Sequence, residues 1–597
     1  MHVIRLFSLL AVAMLLAGAE PVPPALAQPQ NAAPSAALDN VTIDAGFVRY
    51  RIKRIEFFGS TLSAADLRQI FDANDPKPLP DRLRELNAER IVVPEIVAEA
   101  KAAAFSETVT YRNLVLTGVS AGRVTDGAAQ TISFELNTEN SGKISGDFGA
   151  LSAHNIDLVL AGRVAASSRD PNENKALLYE SFSLDGGGFI LPKENVEVTF
   201  GRISGANVKA RPFSTPLNAL PKQNDASHEM TPEEKRLVAG FGADALDSFD
   251  IGNFEIRDIG FKGLSDSKPF NGHLDRMTLA GLGDAKIEEY SFAGFSTTAS
   301  DGVHIDLGNL AFRGFDMSTT RARLRAAATD NSQPVDDAKP REFMPNLREF
   351  SLTAFEYRGA SPSGGGAIVA GAARGNSIRL NKVEMHGSNL YEGMPTALTI
   401  DMDGVSFDVS ATSPDDTLRN IAGLGYSRVD LGSRMDVAWK QSTQELAVNE
   451  ISLAAKAMGA LKLKGALTNV SKDLFAPEPA VVQAAALSAL IKNIDFTVVD
   501  QGLLNRLVAN EAKRSNRTPD AVRSEWVTAA GVGIPAALGD APAGRTLGSA
   551  VSKFIASPKT LHITASAPNG IGAAEVMLFS QDPAAFLKRM DVQASAD

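Results

Sequence analysis

From residue 108 to about 200, apolar and polar positions alternate with period two in short runs: YRNLVLTGV, QTISFELN, NIDLVLAGRV and ENVEVTFGRI. Gly, Asn and Asp stand between them. This period belongs to strands buried on one face, and the separators are turn formers, so each run is read as a strand. Upstream, VRYRIKRIEFFG (residues 48–59) alternates charged and apolar residues and predicts a strand with Tyr50, Ile52, Ile55 and Phe57 inward. Ser63 is placed to cap a short helix over AADLRQIFD. Residues 80–104 have helical composition, broken by the β-favouring Ile91-Val92-Val93 and by Pro94. Proline clashes with the preceding helical turn, so two short helical pieces are expected there.

A five-residue phrase recurs, two apolar residues one apart and then glycine. It begins with Leu114 and Leu116 before Gly118 and returns as Ile259 and Phe261, Met277 and Leu279, Tyr290 and Phe292, Leu310 and Phe312, Phe355 and Tyr357, and Val383 and Met385. Alternation puts both apolar side chains and the glycine on one face, the glycine leaving room for a close neighbour or marking a bulge. The spacing is irregular, which excludes a fixed-period solenoid. A one-faced pattern on many strands implies a wide antiparallel sheet with an apolar side.

A meander follows, with Met435, Val437 and Trp439 on one face, then Leu446 with Val448, Ile451 with Leu453, and Leu461 with Leu463. The last 120 or so residues change character. Helices are expected over 479–490, 502–515, from Thr518-Pro519 onward, briefly over 546–555 and again over 583–590, with strands at 494–499 and 561–567. The fold class is therefore mostly β: an extended, twisted antiparallel meander with short N-terminal helices and a smaller C-terminal α+β region. The expected segments are a β-rich region over 41–213 with helices near 63–104, a polar insertion or linker over 214–244, a central meander over 245–475 and the α+β region over 476–597. Within the polar stretch, Thr231-Pro232-Glu233-Glu234 has the form of a capping box opening a helix.

Composition adds a location. Arg5, an apolar run over 6–17 and Ala25-Leu26-Ala27 have the form of a cleavable signal peptide over residues 1–27, followed by an Ala/Pro/Gln-rich tether over 28–40. The chain is thus expected to be exported, to the periplasm of a Gram-negative bacterium, with no integral membrane segment once the leader is removed. With no cysteine, neither lipoprotein acylation nor a disulfide framework is open to it, so burial must hold it together. A formal charge of −11 without a basic block argues against nucleic acid as partner.

Candidate chemistry is sparse. Gly118-Val119-Ser120-Ala121-Gly122 fits the serine-hydrolase elbow, but a strand and turn follow it where that elbow needs a helix. Asp401-Met402-Asp403-Gly404 resembles a calcium loop but lacks the later oxygen ligands and is read as a turn. Gly186-Gly187-Gly188 has no following lysine or helix to cradle phosphate. The seven histidines are scattered without metal-ligand spacing. No catalytic, metal or cofactor-binding residue and no cofactor is assigned. With 2 tryptophans and 7 tyrosines against 30 phenylalanines, the aromatics suit a core or a lipid-facing surface better than a sugar cleft.

The meander over 434–470, followed by IDFTVVDQGLLNRLV and FIASPKTLHITASA, resembles the C-terminal region of AsmA-like and YdgA-like periplasmic proteins. The resemblance implies a long curved sheet in the periplasm, in a group whose larger members are thought to move or shelter phospholipid. It departs from that group in having a cleavable-looking leader where a firm anchor is usual, which puts transport across the whole envelope in doubt. The expected function is a non-enzymatic envelope protein that binds or shelters a lipid or other apolar ligand on the face carrying Leu114, Leu116, Ile259, Phe261, Met277, Leu279, Tyr290, Phe292, Leu310, Phe312, Phe355, Tyr357, Met435, Val437, Trp439, Leu461 and Leu463. The alternatives are a structural module that binds an envelope protein partner, and a glycan hydrolase.

Overall fold

A computed structural model describes residues 33–597 except 46–47, 103–104, 139–141, 167, 171, 215–229, 266–267, 300–301, 330–344, 360–376, 392, 414, 539–540, 573–574 and 577–588. The expected leader, most of the tether and of the polar stretch, and nearly all of the helix expected over 583–590 lie outside the described residues. The chain divides into two compact units, Met1–Ser300 with Ala311–Leu347, and Asp301–Leu310 with Arg348–Asp597. Both are mostly β, and every pairing given below is antiparallel.

The first unit holds β1 (Ala36–Ala45), β2 (Val48–Phe58), β3 (Ala88–Ala102), β4 (Phe105–Val119), β5 (Arg123–Ala129), β6 (Thr131–Thr138), β7 (Gly142–Phe148), β8 (Leu151–Asp157), β9 (Ala176–Leu191), β10 (Val196–Ala210), β11 (Phe249–Ser265), β12 (Lys268–Leu282) and β13 (Lys286–Ala299). Strands β1 to β4 pair in sequence. The sheet then forks: one end of β4 meets β5 and the other meets β6. The branches run through β8 and β7 and rejoin on β9, from which β10 to β13 continue.

Long strands keep one face apolar only if their phase is corrected. On β2 the inward residues step from Ile52 to Ile55, on β3 from Val93 to Ile96, and on β4 from Tyr111 to Leu114, three positions where alternation needs two. At that level Pro94 and Asn113 drop out of the ladder between Val93↔Leu114 and Glu95↔Arg112, and Asn113 takes φ 52°. Asn40 does the same on β1, at φ 54°. Proline has no amide to donate and asparagine tolerates the left-handed region, so these residues form a crease across four strands that leaves the register unchanged.

Four helices lie over this face. Ala64–Ile70 opens with a Ser63–Asp66 capping box. Arg82, 7 % exposed, follows in the short Leu79–Leu83 helix and donates to the carbonyls of Gln69 and Ile70 at the first helix's C-terminus. Leu158–Ala166 and Pro232–Ala245 complete the cover. The Thr231–Glu234 capping box forms as the sequence predicts, Glu234 N donating to Thr231 Oγ1 at 3.3 Å.

The second unit carries β15 (Glu349–Arg358), β16 (Ile378–Tyr391), β17 (Met394–Asp408), β18 (Arg428–Lys440), β19 (Glu445–Ala455), β20 (Gly459–Thr468), β21 (Leu490–Asp500), β22 (Thr560–Gly572) and β23 (Asp591–Ala596), paired in sequence, and the unit division falls within β14 (His304–Asp316). Helices Pro479–Ser488, Leu503–Ser515, Pro519–Ala537 and Pro542–Ala556 interrupt the meander, the last packing Ala550 on Leu561 and Ala596.

Several expectations are corrected. Ordered chain begins before Val41: Leu38, on β1, is 1 % exposed and pairs with Ile55, so residues 36–40 are strand and not tether. The second helical piece expected before residue 104 is β3, because pairing on both sides outweighs local propensity and the crease absorbs Pro94. NIDLVLAGRV is half strand and half helix; its unbroken apolar run fits either, and Asp157 Oδ1 accepts from Leu160 N where the helix starts. Of the two readings of residues 214–244, insertion or linker, the direct pairing of β10 with β11 across them and the burial of Ala239 and Ala243 fit the insertion. No boundary falls at 475, because β20 pairs with β21. The turn expected at Asp401–Gly404 is a bulge inside β17, with Gly404 at φ 66°.

Asp247, 5 % exposed and just past the Pro232–Ala245 helix, joins that helix's end to the end of β10 and to a further helix, Ser318–Thr329: it accepts from Arg211 at 2.6 Å, from Arg321 at 2.8 Å and from Arg325. Burial pushes its pKa up, but the three guanidinium groups outweigh that and hold it below the ordinary carboxylate range. Its contribution is thus present above an unfolded-state pKa of about 3.9 and lost as pH falls through the lower folded value. Asp247→Ala strands three cations, one of them half exposed, and should lower the unfolding free energy by about 3 kcal/mol in neutral chemical denaturation, the difference shrinking in strong acid.

A candidate apolar ligand site

Between the creased face of β2, β3 and β4 and the helices above it lies a cavity of about 630 Å³, wholly within the first unit. Its floor is Val48, Tyr50, Ile52, Ile55, Ile91, Val93, Ile96, Tyr111, Leu114 and Leu116, and its roof includes Phe71, Leu79, Leu83, Ala161, Val164, Phe213, Phe241 and Phe249. Among the described residues the only side-chain heteroatoms in the lining are the hydroxyls of Tyr50 and Tyr111. Polar contacts fix parts of the roof: Arg82 joins the first two helices to each other, and Asp247, just beyond the end of the Pro232–Ala245 helix, binds Arg211 and Arg321.

Register sets the polar groups in rows. Tyr50 pairs with Ala98, which pairs with Val109, and the next row is Val48, Ala100, Glu107 and Leu136. Glu107 therefore shares the apolar face with Val109 and Tyr111. The carboxylates on the opposite face are paired, Glu95 with Lys53 at 3.2 Å, Glu99 with Arg51 at 3.0 Å and Glu135 with Lys143 at 2.8 Å. Among the described residues Glu107 has no such cation. Burial raises its pKa to about 7. Burial also raises both tyrosines, with Tyr111 acting on Tyr50 and Glu107 on Tyr111, so both hydroxyls remain proton donors at neutral pH.

The residues singled out from sequence are distributed as follows. Leu114 and Leu116 line the cavity. Ile256, Met277 and Phe292 form one row of the same sheet, Phe254, Leu279 and Tyr290 the next, and Ile259, Leu274 and Phe295 a third, so Ile259, Met277, Leu279, Tyr290 and Phe292 lie side by side. Met277 is buried, Tyr290 packs edge-on to Phe292 at 4.7 Å, and Phe261 stacks on Phe295 at 5.9 Å. Leu310 and Phe312 on β14 are half-buried. In the second unit, Phe355 packs against buried Tyr357 and Ile378. Trp439 is core, donating to Val470 O at 2.8 Å beside Phe475. Met435, Val437 and Leu463 are half-buried, whereas Leu461 is 43 % exposed opposite Leu453 at 46 %, with Ile451 nearby at 41 %.

The sequence reading did not assign Ile91, Val93, Ile96, Tyr111, the roof helices or Glu107 to the site. A signal for Glu107 existed: in FSETVTYRN it occupies the phase of Val109 and Tyr111, where an apolar residue belongs.

The motifs weighed for chemistry are structural. Ser120 and Arg123 close a two-residue hairpin, with Ala121 at φ 51° and Gly122 at φ 74°, and β5 follows where an elbow needs a helix. A Cβ on Gly187 would sit 2.2 Å from Asp147 O, so the triple glycine serves backbone approach within the sheet. His154, His304 and His562 each meet one carboxylate, of Asp126, Asp306 and Asp495. Among the described residues no group of three or more His, Asp and Glu is arranged to hold a metal ion, and no helix is long and apolar enough to cross a membrane.

Residues 452–597 match a family model described as an uncharacterized protein. No curated protein and no solved structure matches the chain.

The raised pKa of Glu107 makes a stability prediction. Its folded value, about 7, exceeds the ordinary 4.5, so the native state holds the proton longer than the unfolded chain. Wild-type stability should therefore fall as pH rises from about 4.5 to about 7 and then level. Thermal melts across that range should show Glu107→Gln gaining on wild type with rising pH and matching it near pH 4.

Proposed function

We propose that the protein is a non-enzymatic binder of an apolar ligand, which it holds by its hydrocarbon part in the first unit's cavity. The observation that carries this is a lining that, among the described residues, is hydrocarbon interrupted only by two phenol groups around about 630 Å³. Left empty, the pocket keeps its apolar side chains facing solvent, at about 25 cal/mol per Å² of apolar surface. Water in it would find too few hydrogen-bonding partners. A hydrocarbon chain meets neither objection, each buried methylene contributing about 0.8 kcal/mol. The leader-like first 27 residues support placing this role in the cell envelope after export, in the setting implied by the resemblance to AsmA-like and YdgA-like proteins.

A second reading, contact with an envelope protein, is favoured by one observation, the exposed Ile451, Leu453 and Leu461 on the second unit. Isolated apolar residues on a surface are ordinary, and these adjoin in one patch.

Organic extraction of protein purified without detergent, followed by mass spectrometry, should recover close to one lipid-like molecule per chain. Ala161→Trp, or Ala165→Phe, fills the cavity from the Leu158–Ala166 helix and should abolish that recovery and the binding of diphenylhexatriene while the circular dichroism stays unchanged. Recovery of no lipid from wild type, together with no dye binding, would remove this reading.

A further inference from the structure

The cavity has a polar end, and its chemistry restricts the ligand's head. Tyr50 and Tyr111 line the cavity, and Glu107 stands on the same sheet face in the row beside that of Tyr50. Around Glu107, β3 presents Ala98 and Ala100, β6 presents Phe134 and Leu136, and β4 itself presents Val109 and Tyr111. The titratable groups among these and their β2 neighbours are the two tyrosines. Among the described residues no lysine, arginine or histidine lines the cavity. A phosphate or sulfate head drawn into it would find no countercharge among the described lining residues, and the carboxyl in the neighbouring row of the same face adds like charge. A hydroxyl head would find two phenol donors in the lining, with the Glu107 carboxyl in the row beside them, a few placed polar groups at an apolar pocket of ligand-site size.

We propose that Glu107, Tyr111 and Tyr50 are the polar anchor of the cavity, and that its ligand is a single-chain amphiphile with an uncharged hydroxyl head, of the monoacylglycerol or long-chain alcohol class. This rests on the reading of the cavity as a hydrocarbon site. Burial favours the neutral form of Glu107, which suits an uncharged head, and ionisation above about pH 7 sharpens the exclusion of anionic ones.

The test is displacement of diphenylhexatriene from the full chain by three ligands with the same oleoyl chain: monooleoylglycerol, oleate and oleoyl lysophosphatidate, at pH 5.5 and pH 8.5. At the higher pH monooleoylglycerol should bind about tenfold or more tightly than lysophosphatidate, the discrimination expected of one uncompensated charge in a poorly hydrated site. Oleate should weaken from the lower to the higher pH more in wild type than in Glu107→Gln, since the ligand's own titration is common to both. Glu107→Gln should recover the part of the lysophosphatidate affinity that like-charge repulsion removes, narrowing the preference measurably, and Tyr111→Phe should weaken monooleoylglycerol by about fivefold, the worth of one neutral hydrogen bond. Lysophosphatidate binding as tightly as monooleoylglycerol, or a preference that survives unchanged in Glu107→Gln, overturns the anchor and leaves the hydrocarbon site standing. Failure of the dye to bind wild type overturns both.

Discussion

The first unit depends on one constraint: strands of up to seventeen residues must show apolar side chains to a single side along their whole length. Right-handed twist and bulk do not by themselves hold that phase, and a single extra residue turns every later side chain over. The chain meets the constraint with a crease, Asn40 on β1, Pro94 on β3 and Asn113 on β4 standing out of the ladder at one level. On either side of it the inward residues resume on the same face, which makes a continuous floor possible. A comparable break recurs at Asp258 on β11, at φ 52°, after which Ile259 rejoins the face of Ile256.

A floor of this kind needs a roof, and the roof is held at its margins. Arg82 closes the end of one short helix, and Asp247 gathers three arginines beside another. Polar interactions thus sit around the site and fix its walls, while the space between the walls is left to hydrocarbon. Buried ion pairs add little net stability compared with apolar packing, but they are specific about position, which is what a roof held off its floor requires. Glu107 is the exception to this division of labour, a carboxyl on the hydrocarbon side of the sheet.

Much of the architecture was legible in the sequence because period two and turn chemistry are local. The strand class, the capping boxes at Ser63 and Thr231 and most C-terminal helices follow from residues within a few positions of one another. The repeated phrase picked out residues that stand in adjacent rows, Met277 beside Phe292 and Leu279 beside Tyr290. It did not mark the cavity, because whether an apolar face is filled depends on what crosses above it. That cover comes from Phe71, Ala161, Phe213 and Phe241, far apart in sequence and on elements whose own patterns speak only of helices or loops. Residues 80–104 and 155–164 misled for the same reason: their composition suits two structures, and pairing partners elsewhere in the chain decide between them.

The claim on which the functional reading stands is that the space over Tyr111 and Leu114 belongs to a hydrocarbon chain. The most direct measurement is a high-resolution crystal structure of the protein purified from its own cells without detergent. Continuous tubular density along Leu114, Leu116 and Phe241, ending near the Tyr50 and Tyr111 hydroxyls, is the expected result. A roof collapsed onto β3 and β4, or a chain of ordered waters in the space, would contradict it.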